Sequence, residues 1–114
     1  PLRLNPTFGE LVSAYLGWYQ RESDAGVPAA DLIVAAARAF AADALTLSGV
    51  RVGALADGRA INDWELAMID AERPLPEVRG LHQALVCILG WGVAHGWIRR
   101  ARDPRPLLAS VVAG

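Results

Sequence analysis

Four arginines lie within seven residues near the C-terminal end of the chain, and their chemistry suits phosphate binding. They are Arg99, Arg100, Arg102 and Arg105, in the segment RRARDPR. A guanidinium group stays charged and forms paired hydrogen bonds to phosphate oxygens. The same arginines could instead form a solvated turn, stabilised by the negative end of the preceding helix. The residue types alone leave both interpretations open.

Histidine and cysteine side chains are too few and too dispersed to predict a metal centre. His82 and His95 are 13 positions apart and fall on different sides of one predicted helix, so they cannot share an ion. Cys87 is the single cysteine and is predicted to be a small buried hydrophobe. We therefore predict no metal and no cofactor, with His82 at the edge of the core and His95 at a helix end.

Carboxylates of the predicted third helix are the other residues that could do acid–base chemistry. Glu65 and Glu72 lie one heptad apart, and Asp63 and Asp70 form a neighbouring strip. We expect no histidine, arginine or glycine-rich loop near them to complete a site. The sequence therefore predicts a solvated acidic face, with Glu65 pointing outward, and no catalytic activity for this chain.

The element that must position these residues is a long central helix, predicted from about residue 76 to 98. Apolar residues recur at three- and four-residue spacing along one side, namely Val78, Leu81, Leu85, Ile88, Leu89 and Gly92. Gly96 marks its end, because glycine adopts the left-handed conformation without steric cost. The other side carries small and mostly apolar residues, namely Gly80, Gln83, Ala84, Cys87, Gly90, Trp91 and Ala94. Such a helix is buried on both sides or covered by a partner.

Two helices are predicted before residue 50. Thr7 and Glu10 form a capping box at the start of an amphipathic helix over about 8–22, with Tyr15 and Tyr19 on its core face. An alanine-rich helix follows over about 29–47, and Arg38 is one of its few charges. A turn near residues 48–53 has room for a short extended piece that is too short for a sheet.

Two more helices complete the prediction. Asp57 and Gly58 start a third helix over about 58–72, whose predicted inward residues are Ile61, Trp64, Ala67, Met68 and Ala71. Asp103 followed by Pro104 predicts an N-cap and the first position of a short last helix over about 104–112. The four tryptophans are expected in the core, although Trp91 could anchor an interface.

Composition places the chain among globular helical domains. It has 114 residues, of which 54% are hydrophobic and 20% charged, with a net charge of −1. These values predict residues 1–114 to be one ordered domain, an all-α bundle of four main helices plus a short fifth. No apolar run is long enough to span a membrane, and a single cysteine fits a reducing, cytoplasmic setting. The chain starts without Met or a signal-peptide pattern, so we expect an excised domain.

The pattern of the whole chain resembles a known family. The segments TFGELVSAYLGWYQRE, ADGRAINDWELAMID and LHQALVCILGWGVAHGWI are similar to the N-terminal core-binding (SAM-like) domain of tyrosine recombinases of the phage integrase family. The fourth helix of that family typically ends in a Trp-Ala-Val-x-x-Gly-like sequence. Residues 91–98, WGVAHGWI, match it here. The resemblance extends from residue 7 to about residue 106.

The resemblance implies a helical domain that clamps one side of duplex DNA during integration or recombination. The family's catalytic residues lie in a separate C-terminal domain, which is expected after residue 114. This chain would then bind DNA without cleaving it. The residues expected to contact DNA are Arg38, Arg79, His82, Gln83, Arg99, Arg100, Arg102 and Arg105.

A second hypothesis belongs to another class of function. Family members place Arg or Lys along the fourth helix, whereas this chain has Gly80, Ala84, Val86, Cys87 and Gly90 there. Small residues let another helix approach closely. A domain of the same ancestry could therefore serve protein–protein interaction or homo-oligomerisation, through Gly80, Ala84, Cys87, Gly90, Trp91 and Ala94.

Overall fold

The computed structural model describes residues 5–24, 47 and 49–108, and these residues are mostly helical. Three α-helices are present in this part of the chain: α1 (Phe8–Asp24), α2 (Arg59–Asp70) and α3 (Leu75–Ala94). Three short 3₁₀ helices accompany them, η1 (Val52–Leu55), η2 (Arg100–Arg102) and η3 (Arg105–Leu107). The predicted all-α class is confirmed for these residues. The predicted helix over 29–47, with Arg38, lies outside the described residues except for Leu47, which is buried.

The capping box at the start of α1 is confirmed. The Glu10 backbone N–H donates to Thr7 Oγ1 at 3.1 Å, and the Thr7 N–H donates to Glu10 Oε1 at 3.1 Å. The two side chains satisfy backbone donors that a helix start leaves open. One face of α1 then enters the core through Phe8, Leu11, Val12 and Tyr15, all of them buried.

A pair of backbone hydrogen bonds ties the start of α1 to the segment before η1. Phe8 N–H donates to the Val50 carbonyl and Val52 N–H donates to the Pro6 carbonyl, both at 2.8 Å. Between them, Thr7 and Arg51 form an isolated antiparallel bridge. The short extended piece expected here is therefore a single bridge.

α2 and α3 form a hairpin around the connector 71–74. Arg59 N–H donates to Asp57 Oδ1 at 2.9 Å, and Gly58 takes the left-handed conformation with φ 76° at the start of α2. The buried face of α2 contains Ile61, Glu65 and Met68. Ala67 and Ala71, which were predicted to face inward, are exposed. α2 thus turns a narrower face to the core than predicted.

α3 is the central element, because both α1 and α2 pack against it. Its buried residues are Val78, Leu81, Ala84, Leu85, Ile88, Leu89 and Gly92. The predicted stop is confirmed at Gly96, which has φ 80°. Trp97 N–H then donates back to the Gly92 carbonyl at 2.7 Å, and Ile98 returns to the core. The α-helix itself ends at Ala94, two residues before Gly96.

The predicted start of a last α-helix at residue 104 is wrong. Residues Arg105–Leu107 form one 3₁₀ turn, and Leu108 is extended with φ −72° and ψ 132°. The chain leaves the helical region at Leu108, which packs against the core, so a tertiary contact overrides the local helix-start signal. Residues 109–112 of that prediction lie outside the described residues.

Two glycines of α3 provide a matched test of this packing. A Cβ at Gly80 would meet no atom within 4 Å, whereas one at Gly92 would lie 3.1 Å from Ile98 and 3.2 Å from Leu11. We expect Gly80→Ala to raise the free energy of unfolding by about 0.5–1 kcal/mol, because alanine favours the helix. Gly92→Ala should lower it, since tight cores resist added volume. Urea unfolding of both variants measures this, and equal effects would contradict the described packing.

Candidate nucleic-acid interface

The four arginines after α3 lie on one exposed turn, which we call the basic turn: Arg99, Arg100, Arg102 and Arg105. Two buried residues anchor it, Ile98 at its start and Pro104 near its end. Between them, η2 is closed by a hydrogen bond from Arg102 N–H to the Arg99 carbonyl at 2.8 Å. A short turn with buried anchors therefore holds the guanidinium groups at the surface.

One arginine of the basic turn is already engaged. Asp103 accepts hydrogen bonds from Arg105 Nε at 2.9 and 3.0 Å and from Arg105 Nη2 at 2.7 Å. The Arg105 hydrogen bond lowers the pKa of Asp103, and the carboxylate in turn raises the pKa of Arg105. Arg105 also reaches back over α3, because a Cβ on Gly90 would lie 2.7 Å from its Nη1.

The other three arginines are available for a ligand. Arg99, Arg100 and Arg102 are exposed, and none of them forms an ion pair within the described residues. Residues 99–105 contain four arginines and one aspartate, which gives this turn a net charge of +3. A chain with a net charge of −1 thus presents a local cationic surface.

The Asp103–Arg105 pair can be tested by titration. Arg105→Gln should raise the pKa of Asp103, because the Arg105 hydrogen bond is the largest cause of its low value. Arg100→Gln, the matched control, should raise it less, since Arg100 acts through its charge alone. NMR titration of the Asp103 carboxyl measures both shifts. Because the pKa of Asp103 is lower in the folded chain, Asp103 stabilises the fold at pH values above its unfolded pKa. This contribution is lost as the pH falls through the folded pKa of Asp103. An unchanged midpoint in Arg105→Gln would contradict the pairing.

The remaining predicted DNA contacts lie elsewhere. Arg79 and Gln83 are exposed in the first half of α3. At 1.5 Å per residue, Arg79 is about 22 Å from the end of α3 at Ala94, and the basic turn follows that end. Arg38 lies outside the described residues. The structure therefore separates the predicted contacts into two groups.

His82 pairs with a residue that was not predicted to lie near it. Its Nδ1 pairs with Oε1 of Glu65, and Glu65 is fully buried rather than solvated. The predictions that Glu65 points outward and that no histidine lies near it are therefore wrong. Its spacing could have revealed this, because Glu65 follows Ile61 by four positions and precedes Met68 by three. Glu65 Oε2 is buried without a hydrogen-bond partner among the described residues.

An aromatic cluster covers the end of α3 beside the basic turn. It consists of Tyr15, Trp18, Tyr19, Trp91, His95 and Trp97. Burial raises the pKa of the Tyr15 hydroxyl, and Cys87 and Tyr19 raise it further. Cys87 is exposed, so the prediction of a buried cysteine is wrong. The four tryptophans, predicted in the core, are partly buried and pack against it.

The small-residue surface predicted for a partner helix is not continuous. Ala84 is 1% exposed and belongs to the core. Arg105 lies over Gly90, and Trp91 belongs to the aromatic cluster. Cys87 and Ala94 are exposed, and Gly80 is partly so. The structure therefore divides the six residues among four surroundings.

Neither a metal site nor a membrane-spanning helix is found in the described part of the chain. No group of three or more His, Cys, Asp or Glu side chains there is arranged to hold a metal ion. Among the same residues, no helix is both long and apolar enough to cross a membrane. Comparison with protein-family models, curated proteins and solved structures found no match to this chain.

Proposed function

We propose that this chain is a DNA-binding module, the N-terminal core-binding domain of a protein of the tyrosine recombinase type. It would hold duplex DNA by its phosphates, and a separate domain would cut the strands. The proposal includes the finer, SAM-like arrangement of helices that the resemblance implies. The observation that carries it is the basic turn, with Arg99, Arg100 and Arg102 exposed and without ion pairs among the described residues.

The distribution of charge supports this proposal better than the net charge does. The exposed carboxylates Asp70, Glu72 and Glu77 lie around the connector between α2 and α3. The basic turn lies at the other end of α3, whose 20 residues span about 30 Å. That distance exceeds the Debye length of about 8 Å at physiological salt. The carboxylates are therefore screened from a phosphate at the basic turn.

The number of available arginines sets the strength of binding. Each phosphate neutralised on duplex DNA contributes about −0.9 to the slope of log K against log salt concentration. Three arginines, Arg99, Arg100 and Arg102, give a slope of about −2.7. We therefore expect weak, salt-sensitive binding for the domain alone, with sequence selectivity supplied elsewhere.

Fluorescence anisotropy of a labelled duplex, titrated with the whole chain between about 50 and 200 mM salt, tests the proposal. We expect binding in the micromolar range at low salt, with a slope near the value above. A neutral polymer of the same length serves as the control for non-specific crowding. Absence of binding at micromolar protein, or binding that is indifferent to salt, would contradict the proposal.

A further inference from the structure

The aromatic cluster presents rings at the surface and does not close the core completely. His95 is exposed and stacks on Trp91, with ring centroids 4.7 Å apart and planes at 25°. Trp18 contacts both rings, at 5.9 Å from Trp91 and 5.5 Å from His95. Trp97, partly buried, lies 6.3 Å from Trp91. A stacked pair with an exposed outer member can extend its stack to a further planar group.

The basic turn follows this cluster directly. Trp97 and Arg99 are two residues apart, and the chain reaches at most about 7 Å over that interval. His95 lies four residues before Arg99, within about 14 Å. The backbone positions that carry the rings and the exposed guanidinium groups are therefore close together, an arrangement that suits a ligand with both rings and negative charges.

A shallow groove lies beside Trp97. Thr7, Gly9, Glu10 and Ser13 line it together with Trp97. The Glu10 carboxylate at this groove is held by the capping box and also pairs with Arg51, whose Nη1 lies 4.0 Å from Glu10 Oε1. The Thr7 hydroxyl is engaged in the capping box, whereas the exposed Ser13 hydroxyl can exchange hydrogen bonds with a base edge. The groove therefore offers a base a polar partner beside the Trp97 ring.

We propose that this surface binds unpaired nucleotides of single-stranded nucleic acid. Bases stack on His95 and Trp97 while the phosphates contact Arg99, Arg100 and Arg102. Duplex DNA cannot use the rings in this way, because its bases are already stacked in the helix. The inference rests on the proposed function, since it uses the same arginines, and it adds a preference for unpaired strands.

An abasic strand separates the two contributions. It carries the same phosphates as an oligothymidylate of equal length but has no bases. We expect oligothymidylate to bind at least about fivefold more tightly than the abasic strand, because base–aromatic stacking strengthens single-strand binding. Tryptophan fluorescence should be quenched by oligothymidylate alone. His95→Ala should remove most of this preference and leave abasic binding unchanged, whereas Gln20→Ala, at an exposed position of α1, should preserve both.

The outcomes distinguish this inference from the proposed function. Equal affinities for the two strands, with duplex binding intact, would overturn the stacking inference and leave the duplex proposal standing. Absence of binding to any of the three nucleic acids would overturn both. A preference for oligothymidylate over the abasic strand that persists at full strength in His95→Ala would also contradict the assigned stacking surface.

Discussion

His82→Ala is expected to lower the free energy of unfolding by about 2–3 kcal/mol. Breaking a fully buried ion pair typically costs about 3–5 kcal/mol, because the remaining charge is left without a partner. The His82 side chain is 24% exposed, so water can partly replace it, and the lower figure applies. Glu65 would be left fully buried, with both carboxylate oxygens unpaired among the described residues.

The double variant Glu65→Leu, His82→Leu distinguishes the loss of both partners from the loss of one. Replacement of both partners by apolar groups is often neutral or stabilising, so this variant should be more stable than His82→Ala. Urea unfolding measures both, with Gln83→Ala as the exposed neighbour, expected within about 0.5 kcal/mol of the unchanged chain. A loss of less than about 0.5 kcal/mol in His82→Ala would mean that Glu65 is not buried as described.

Replacement of Arg99, Arg100 and Arg102 together by glutamine is expected to abolish most duplex affinity. Loss of three phosphate contacts removes about 2.7 from the salt slope, and at about 50 mM salt the affinity should fall at least tenfold. Stability should change little, because these side chains are exposed and make no ion pairs within the described residues. Anisotropy titrations of the triple variant provide the measurement.

Arg79→Gln tests the other group of predicted contacts. It removes one positive charge from the opposite half of α3, so the slope should change by at most about 0.9. A triple variant that binds like the unchanged chain, beside an Arg79→Gln variant that does not bind, would move the interface to the start of α3.

Periodicity and end signals predicted the framework. The capping box of Thr7 and Glu10, the apolar stripe of α3 and the stop at Gly96 all depend on neighbours in sequence, and such local rules are readable without coordinates. The predictions failed where the charge of a residue indicated an exposed position but its spacing along the helix indicated a buried one. Glu65 occupies a core position of α2, but its charge suggested solvent, and the compensating partner His82 lies 17 positions away on another helix.

The residue types of the candidate site could be predicted from the sequence, but which side chains are paired and which are available could not. The basic turn is visible as four arginines in the sequence. That Asp103 engages Arg105 and leaves the other three available is a property of the fold around Pro104 and Pro106. The proximity of His95 and Trp97 to those arginines follows from Gly96, which turns the chain back over the end of α3.

The most direct test of the central claim is NMR mapping of the whole chain titrated with duplex DNA at low salt. If the basic turn holds phosphates, the largest amide shifts should fall in residues 97–105, and they should reverse on addition of salt. Shifts concentrated in α2, or none in residues 97–105 at saturating DNA, would contradict it.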